Sequence, residues 1–234
     1  MKKHDTMDRP LSDCRLYAFV DAAFLRGRAP EDIARQLCAG GADLIQLRAK
    51  HLPAAEVQRM AERILPVTRT AGVGLVINDH LAVALAVGAA FCHLGQEDFA
   101  AMGCAHVREL FTKPPIASPQ PSTLNPQPLI GLSTHSPAEA RRAMAAGAAY
   151  LGVGPVFATG TKPDAKPVTL DYVRWAAANV TIPWFAIGGI HLGDLDDVMA
   201  AGARRICVVS AILDAPDITR TCRRCKERLL CAAL

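Results

Sequence analysis

The sequence has few aromatic residues, no long apolar run and no large excess of charge of either sign. Its longest apolar run, 81–92, falls well short of the roughly 20 residues that a membrane-spanning helix requires. The net charge of +4 is spread along the chain, which argues against nucleic acid as a partner. The first residues, MKKHDTMDRPLSDC, lack the apolar segment of a secretory signal. We therefore expect a soluble, cytoplasmic protein that binds neither membranes nor nucleic acids.

Hydrophobic residues are abundant by contrast. They make up 51% of 234 residues, enough to form the core of one sizeable domain without disulfides or a structural metal. The eight cysteines are expected to be reduced thiols, because long chains without an export signal seldom use disulfides. Cys222 and Cys225 form a CxxC pair but have no second pair at zinc-finger spacing. We interpret this pair as one face of a helix.

A short pattern recurs four times, in which a helical stretch ends in Gly-Ala and an apolar run follows. The copies are AGGADLIQLR, AVGAAFCHLG, AAGAAYLGVG and AAGARRICVVS. Glycine can end a helix in a left-handed conformation, and the apolar run after it predicts a buried strand. Further strand-like runs at 16–21, 74–79, 129–135 and 183–190 bring the total to eight. Eight strand and helix units predict a single (β/α)8 TIM barrel, with a doubly wound parallel sheet as the alternative.

Two segments depart from this alternation. Residues 1–13 are predicted to form a disordered N-terminal tail, and 14–234 to form the catalytic barrel domain. Segment 111–128 contains six prolines and therefore cannot be helical. It connects the fourth helix to the fifth strand and should lie on the face where strands begin, opposite the usual active site of a barrel. We interpret it as a mobile loop without a catalytic role.

Polar side chains gather where the predicted strands end. Gln46, Arg48 and Lys50 alternate at the end of the second strand, and a period of two places all three on one face. Two cations inside a barrel favour an anionic ligand, because arginine can bind two oxygens at once. The alternative is a strand that runs out into solvent.

Acidic residues follow the third and fourth strands, which are expected to be neighbours. Asp79 comes directly after Asn78, and Asp98 lies just beyond the fourth strand. Asp79 alone could be a helix cap. Two carboxylates that face Arg48 and Lys50, however, favour Mg²⁺, which commonly takes one or two carboxylates together with phosphate oxygens. The substrate would then be a diphosphate.

A second set of polar residues follows the later strands. Ser133 ends the fifth strand, and hydroxyls, glycines and a lysine follow strands six to eight: Thr159, Gly160, Thr161, Lys162, Gly189, Val209 and Ser210. The loops after strands seven and eight commonly bind phosphate in barrels. His135 could be an acid or base, or a hydrogen-bonded residue at a helix start. The residues thus indicate a diphosphate site and a monophosphate site, which suits displacement of pyrophosphate by a second substrate.

These motifs occur in a recognisable order. QLRAK, INDH, HLGQED, IGLSTH, YLGVGPVFATGTK, AIGGI and VVSAI resemble the thiamine-phosphate synthase family from about Leu16 to Ile212. The resemblance implies a transferase that joins 4-amino-2-methylpyrimidin-5-ylmethyl diphosphate to 4-methyl-5-(2-phosphoethyl)thiazole. Its products would be thiamine phosphate and pyrophosphate, in a dissociative displacement assisted by Mg²⁺.

The resemblance also implies roles for individual residues. The pyrimidine diphosphate would be bound by Gln46, Leu47, Arg48, Ala49, Lys50, Asn78, Ser133 and Lys162, of which Arg48, Lys50, Ser133 and Lys162 are catalytic. Asp79 and Asp98 would hold Mg²⁺. The thiazole phosphate would be bound by Thr159, Gly160, Thr161, Gly189, Val209 and Ser210. Ala49 stands where the family usually has glutamate, but its side chain should point away from Arg48 and Lys50.

Two other functions remain open at this point. A related group of barrels isomerises a thiazole phosphate and would use His135 for proton transfer. A non-catalytic barrel that binds a phosphorylated ligand would explain the anion sites but not the acid pair. Either way the partners are small phosphorylated molecules, and a homo-oligomer is compatible with the sequence.

We predict that shortening the proline-rich segment 111–128 leaves turnover unchanged, because the segment should lie on the face opposite the site. The measurement is the rate of thiamine phosphate formation by the shortened variant, with its folding checked by circular dichroism. A large loss of rate in a folded variant would contradict this prediction.

Overall fold

Eight parallel strands form a closed barrel in chain order. The computed structural model describes residues 9–112, 127–160 and 166–231. The strands are β1 Leu16–Asp21, β2 Leu44–Arg48, β3 Gly74–Asn78, β4 Phe91–Leu94, β5 Leu129–Thr134, β6 Tyr150–Val153, β7 Trp184–Ile187 and β8 Ile206–Cys207. The predicted barrel is confirmed. The doubly wound alternative is wrong, because β8 pairs with β1 and closes the sheet.

Helices surround the barrel. They are α1 Pro30–Ala39, α2 Ala54–Thr70, α3 Leu81–Val87, α4 Gln96–Ala101, α5 Pro137–Ala145, α6 Thr169–Asn179, α7 Leu195–Ala200, α8 Ser210–Leu213 and α9 Ile218–Cys231. In α1, Pro30 occupies the first turn, where its missing N–H costs nothing, and Ile33 and Leu37 lie one turn apart and are fully buried. Each such burial contributes about 1.5–3 kcal/mol. The helices therefore form because one face of each packs on the barrel.

Aromatic rings fill the lower part of the barrel. The Tyr150 ring meets Tyr17 and Phe185 edge to face, with centroids 6.2 and 5.9 Å away. A Cβ at Gly131 would lie 2.1 Å from Tyr150 Cζ, so glycine is required where this ring crosses the barrel. The rings close the interior below and leave an open space towards the carboxyl ends of the strands.

Other expectations have mixed outcomes. Cys222 and Cys225 are fully buried on α9, which confirms the interpretation of this pair as a helix face, and all eight cysteines are free thiols. Part of the predicted N-terminal tail is folded, because residues 11–13 form a 3-10 turn. Residues 1–8 and most of the proline-rich loop, 113–126, lie outside the described residues. No helix in the described ranges has the length and apolar character needed to cross a bilayer.

The folded part of the tail is tied down by a buried carboxylate. Asp43 directly precedes β2, and its side chain is 1% exposed. Its Oδ2 accepts hydrogen bonds from the backbone N–H groups of Arg15 at 2.7 Å and Leu16 at 2.9 Å. The same carboxylate pairs with Lys226 of α9 and with Arg9 of the tail. Asp43 therefore joins β1, α9 and the N-terminal segment at the end of the barrel opposite the carboxyl ends of the strands.

We predict that Asp43→Ala lowers the free energy of unfolding by about 3 kcal/mol, because it leaves the largely buried Lys226 ammonium and two backbone N–H groups without their acceptor. Arg9→Ala is the matched control and should cost under about 1 kcal/mol, since the Arg9 side chain is 52% exposed. Urea denaturation measures both. Equal small losses would show that the buried carboxylate is not what holds this end together.

Candidate active site

A cavity opens at the carboxyl ends of the strands, and together with the open solvent space at its mouth it holds about 1070 Å³. Pockets that bind small molecules are of this order of size. Most of the predicted site residues within the described ranges line it: Gln46, Arg48, Lys50, Asn78, Asp79, Asp98, Ser133, His135, Thr159, Gly189, Val209 and Ser210. The barrel thus brings together residues from seven loops or strand ends that are far apart in the chain.

Three predicted residues do not contribute side chains to the cavity. Leu47 and Ala49 are buried in the hydrophobic core instead. They alternate with Gln46 and Arg48 along the chain, and the strand pleat directs neighbouring side chains to opposite faces. Gly160 is exposed and does not line the cavity. Thr161 and Lys162 lie outside the described residues.

The Arg48 guanidinium is anchored by a residue that the sequence analysis did not identify. Arg48 Nη1 lies 2.7 Å from Asp21 Oδ2, and both side chains are largely buried. The two residues are partners in the β1–β2 register. Asp21 also accepts a hydrogen bond from Ala23 N at 3.0 Å, which fixes the carboxylate itself. The arginine is therefore held with its head group at the cavity wall.

The two predicted metal ligands face the same part of the cavity. Burial raises the pKa of Asp79 above its ordinary value, the Lys50 ammonium opposes this rise, and the Asp98 carboxylate adds to it. Asn78 Nδ2 donates a hydrogen bond to Asp79 Oδ2 at 2.6 Å. A Cβ at Gly95 would lie 2.5 Å from Asp98 Oδ2, so glycine leaves room for this carboxylate. Asp79 and Asp98 therefore interact electrostatically across the mouth.

Asp79 and Asp98 are the carboxylates that this mouth offers to a metal. In the described ranges no three His, Cys, Asp or Glu side chains gather as a metal cluster. A zinc ion requires three or four such ligands. Mg²⁺ requires fewer, because it retains water and takes phosphate oxygens for its remaining positions. Two carboxylates beside Arg48 and Lys50 therefore fit Mg²⁺ bound together with a phosphorylated ligand.

The opposite edge of the cavity is made of backbone turns. Gly188 and Gly189 follow β7 with φ angles of 100° and 64°, a region that favours glycine. A Cβ at Gly189 would lie 2.4 Å from Ala158 O, so the loops after β6 and β7 are in close contact here. Val209 and Ser210 line the same cavity just after β8. Backbone N–H groups and hydroxyls suit an anion at this edge.

His135 is held at the cavity mouth by Glu139. Glu139 Oε2 accepts hydrogen bonds from the His135 backbone N–H at 2.8 Å and from His135 Nδ1 at 3.1 Å. Partial burial acts to raise the pKa of Glu139, but the hydrogen bonds and the charge of His135 outweigh it and the pKa is lowered. The ring is therefore oriented by the first turn of α5.

The structure adds cavity residues that the sequence analysis missed. Tyr17, His93 and Tyr150 line the floor of the cavity, below the predicted residues. They lie within the apolar strands β1, β4 and β6, where the sequence alone did not single them out. Alternate residues of a strand lie on the same face, and Tyr17, Phe19 and Asp21 are alternate residues of β1. Once Asp21 is known to pair with Arg48, the side chain of Tyr17 can be assigned to the inward face of β1.

Comparisons with known proteins agree with this geometry. The family model described as thiamine monophosphate synthase matches residues 16–212. A thiamine-phosphate synthase of Thermus thermophilus is 44% identical over 199 residues, which cover 85% of this chain and 88% of the relative. One from Chloroflexus aurantiacus is 42% identical over 213 residues, 91% of each chain. The solved thiamine phosphate pyrophosphorylase from Pyrococcus furiosus has a TM-score of 0.78 and 29% identity, and covers 95% of this chain and 98% of its own.

We predict that Glu139→Gln destabilises the fold by about 1 kcal/mol at pH 7, because a carboxylate accepts these hydrogen bonds more strongly than an amide. The lowered pKa of Glu139 means that this stabilisation is complete above its ordinary value of 4.5 and is lost as the pH falls through the folded value. Urea denaturation of both proteins between pH 7 and pH 3 measures the difference. A difference that does not shrink on acidification would contradict the assignment.

Proposed function

The chain belongs to the thiamine monophosphate synthase family, and we propose that its cavity transfers the 4-amino-2-methylpyrimidin-5-ylmethyl group from its diphosphate to 4-methyl-5-(2-phosphoethyl)thiazole. The products are thiamine phosphate and pyrophosphate. The enzyme is therefore a transferase, and its partners are small phosphorylated molecules. The free cysteines support the cytoplasm as the proposed compartment.

One observation carries this proposal. A single cavity holds a cation pair beside a carboxylate pair on one side, and a glycine-bounded polar edge on the other. The first side suits a diphosphate with a divalent cation, and the second suits a monophosphate. A transfer reaction between a diphosphate and a monophosphate requires both anion sites to share one space, because the two organic groups must meet.

At the diphosphate side, Arg48, Lys50 and Ser133 contact the leaving group, and Asn78 lies beside them. Asp21 holds the Arg48 guanidinium in place, so little side-chain entropy is lost when the ligand binds. Gln46 contacts the pyrimidine. The family resemblance assigns Lys162 to the diphosphate as well, although this residue lies outside the described ranges.

Asp79 and Asp98 would hold Mg²⁺ at the mouth. A bound ion would supply positive charge that neutralises the diphosphate and would make pyrophosphate a better leaving group. The chain contributes the same kind of stabilisation through Arg48 and Lys50, whose positive charges face the departing oxygens.

At the opposite edge, the thiazole phosphate is bound by Thr159, Gly189, Val209 and Ser210, together with Gly160 and Thr161. Of these six, Gly160 does not line the cavity and Thr161 lies outside the described residues, so these two rest on the family resemblance alone. Anchoring the phosphate at β7 and β8 directs the thiazole ring towards the middle of the cavity. The ring nitrogen can then approach the pyrimidine methylene carbon.

The bond changes follow from this placement. The methylene C–O bond breaks, and pyrophosphate leaves with the electron pair. The electron-rich aminopyrimidine supports the resulting cation until the thiazole nitrogen lone pair forms the new C–N bond. No proton has to leave either ring, so the reaction requires no enzyme base. His135 then serves to shape the mouth, where Glu139 holds it.

We predict formation of thiamine phosphate and pyrophosphate from the two precursors when Mg²⁺ is present, and loss of product when a chelator is added. Asp79→Ala and Asp98→Ala should each lower kcat/KM by about 100-fold or more, because each removes a charge that positions the cation. Glu97→Ala is the matched control, since Glu97 neighbours Asp98 on α4 but does not line the cavity, and it should leave turnover unchanged.

Two outcomes would contradict the proposal in different ways. Absence of product from folded protein, with both substrates and Mg²⁺ supplied, would refute the transfer reaction and favour isomerisation at His135 or simple phosphate binding. Full turnover in chelator, or by both aspartate variants, would leave the transfer standing and refute the metal assignment.

A further inference from the structure

A continuous hydrogen-bond chain crosses the floor of the cavity from β2 to β5. Gln46 Nε2 donates to the Tyr17 hydroxyl, which lies 3.3 Å from the Tyr150 hydroxyl. The Tyr150 hydroxyl lies 3.3 Å from His93 Nδ1, and His93 Nε2 lies 2.9 Å from Ser133 Oγ. The two ends of the chain, Gln46 and Ser133, are the residues that the proposed function assigns to the pyrimidine and to the diphosphate.

The interior of the chain is shielded from water. Tyr17, Tyr150, His93 and Gln46 are each no more than 8% exposed. A buried polar group that loses its partner costs far more than an exposed one, so each member constrains its neighbours. Burial raises the pKa of both tyrosines well above the ordinary value. Both phenols therefore keep their proton, and each can donate one hydrogen bond while it accepts another.

These constraints give the chain a direction. The Gln46 amide NH2 donates to Tyr17, so every member of the hydrogen-bond chain is paired when the Tyr17 proton points to Tyr150 and the Tyr150 proton points to His93 Nδ1. In this arrangement His93 carries its proton on Nε2 and donates to Ser133 Oγ. The Ser133 hydroxyl proton is left to point into the cavity, where the proposed diphosphate requires a donor. At the other end, Gln46 presents its carbonyl oxygen Oε1 to the cavity that it lines.

We propose that Tyr17, Tyr150 and His93 are positioning residues whose directed hydrogen bonds fix Gln46 as an acceptor and Ser133 as a donor, so that the site selects pyrimidines with a 4-amino group. The inference rests on the proposed function. A 4-amino group donates to Gln46 Oε1. A 4-oxo group at the same place would set two acceptors against each other, and Gln46 could not turn without leaving Tyr17 unpaired.

Phenylalanine variants test this selection, because each removes one hydroxyl from the chain and little else. Tyr17→Phe removes the acceptor that orients Gln46, and Tyr150→Phe separates Tyr17 from His93. The measurement compares the KM of the 4-amino diphosphate with the inhibition constant of its 4-oxo analogue. We expect the preference for the 4-amino compound to fall at least about tenfold in both variants. Differences between the two compounds themselves cancel, because the same two compounds are compared in every protein.

Tyr172→Phe is the matched control. The Tyr172 hydroxyl donates to Thr134 Oγ1 at 2.8 Å, so this tyrosine, like Tyr17 and Tyr150, is buried and bonded to another hydroxyl. It does not line the cavity. The control variant should therefore lose stability as the others do while it keeps the wild-type preference. The proposal would be overturned by an unchanged preference for the 4-amino compound in both Tyr17→Phe and Tyr150→Phe. An equal loss of that preference in Tyr172→Phe would also overturn it.

A second measurement determines the direction of the hydrogen bonds between Gln46 and Ser133, and it requires no enzymatic turnover. Nitrogen NMR of protein labelled in its histidines reports which ring nitrogen carries the proton, and the His93 signals are identified by their loss in His93→Gln. We expect the proton on Nε2 alone. A proton on Nδ1 would overturn the proposal. If His93 has the expected tautomer but the protein forms no product, the hydrogen-bond chain is supported and the transfer reaction is refuted.

Discussion

Closure of the parallel barrel is the constraint on which the rest of the structure depends. Pairing of β8 with β1 leaves no free sheet edge and brings all eight carboxyl ends to one rim. Most polar groups of the site lie on or just after a strand end, so their positions follow from the register of the strands. The opposite rim holds Asp43 and its partners instead. Stability and chemistry are thereby assigned to opposite ends of one barrel.

Electrostatic balance determines what the rim can bind. Arg48 is neutralised in part by Asp21, while Lys50 interacts with the carboxylate of Asp79, which Asp98 also approaches. The cavity is therefore neither a simple basic patch nor a simple acidic one. A free diphosphate would meet the acids, and a free divalent ion would meet the cations. A diphosphate bound together with a divalent ion, as proposed above, would satisfy both sets of charges.

Much of the site could be predicted from the chain itself, because strand alternation is a local property. Gln46, Arg48 and Lys50 line the cavity as their spacing indicated, and Asp79 and Asp98 face the same mouth. Leu47 and Ala49 are implied only by the family resemblance, and strand alternation buries both in the core. Tyr17, Tyr150 and His93 were missed. A hydroxyl or imidazole in an apolar strand is ordinary core until its partner is known, and these partners come from three different strands.

The order of strands and helices, the face on which each polar residue lies and the family motifs are local features, because they depend on neighbours along the chain. Which of those faces meet depends on tertiary packing. The pairing of Asp21 with Arg48 depends on the β1–β2 register, and the path from Gln46 to Ser133 depends on rings that cross the barrel. Both are contacts between residues distant in the chain, and such contacts are specified by packing and closure, which no local pattern encodes.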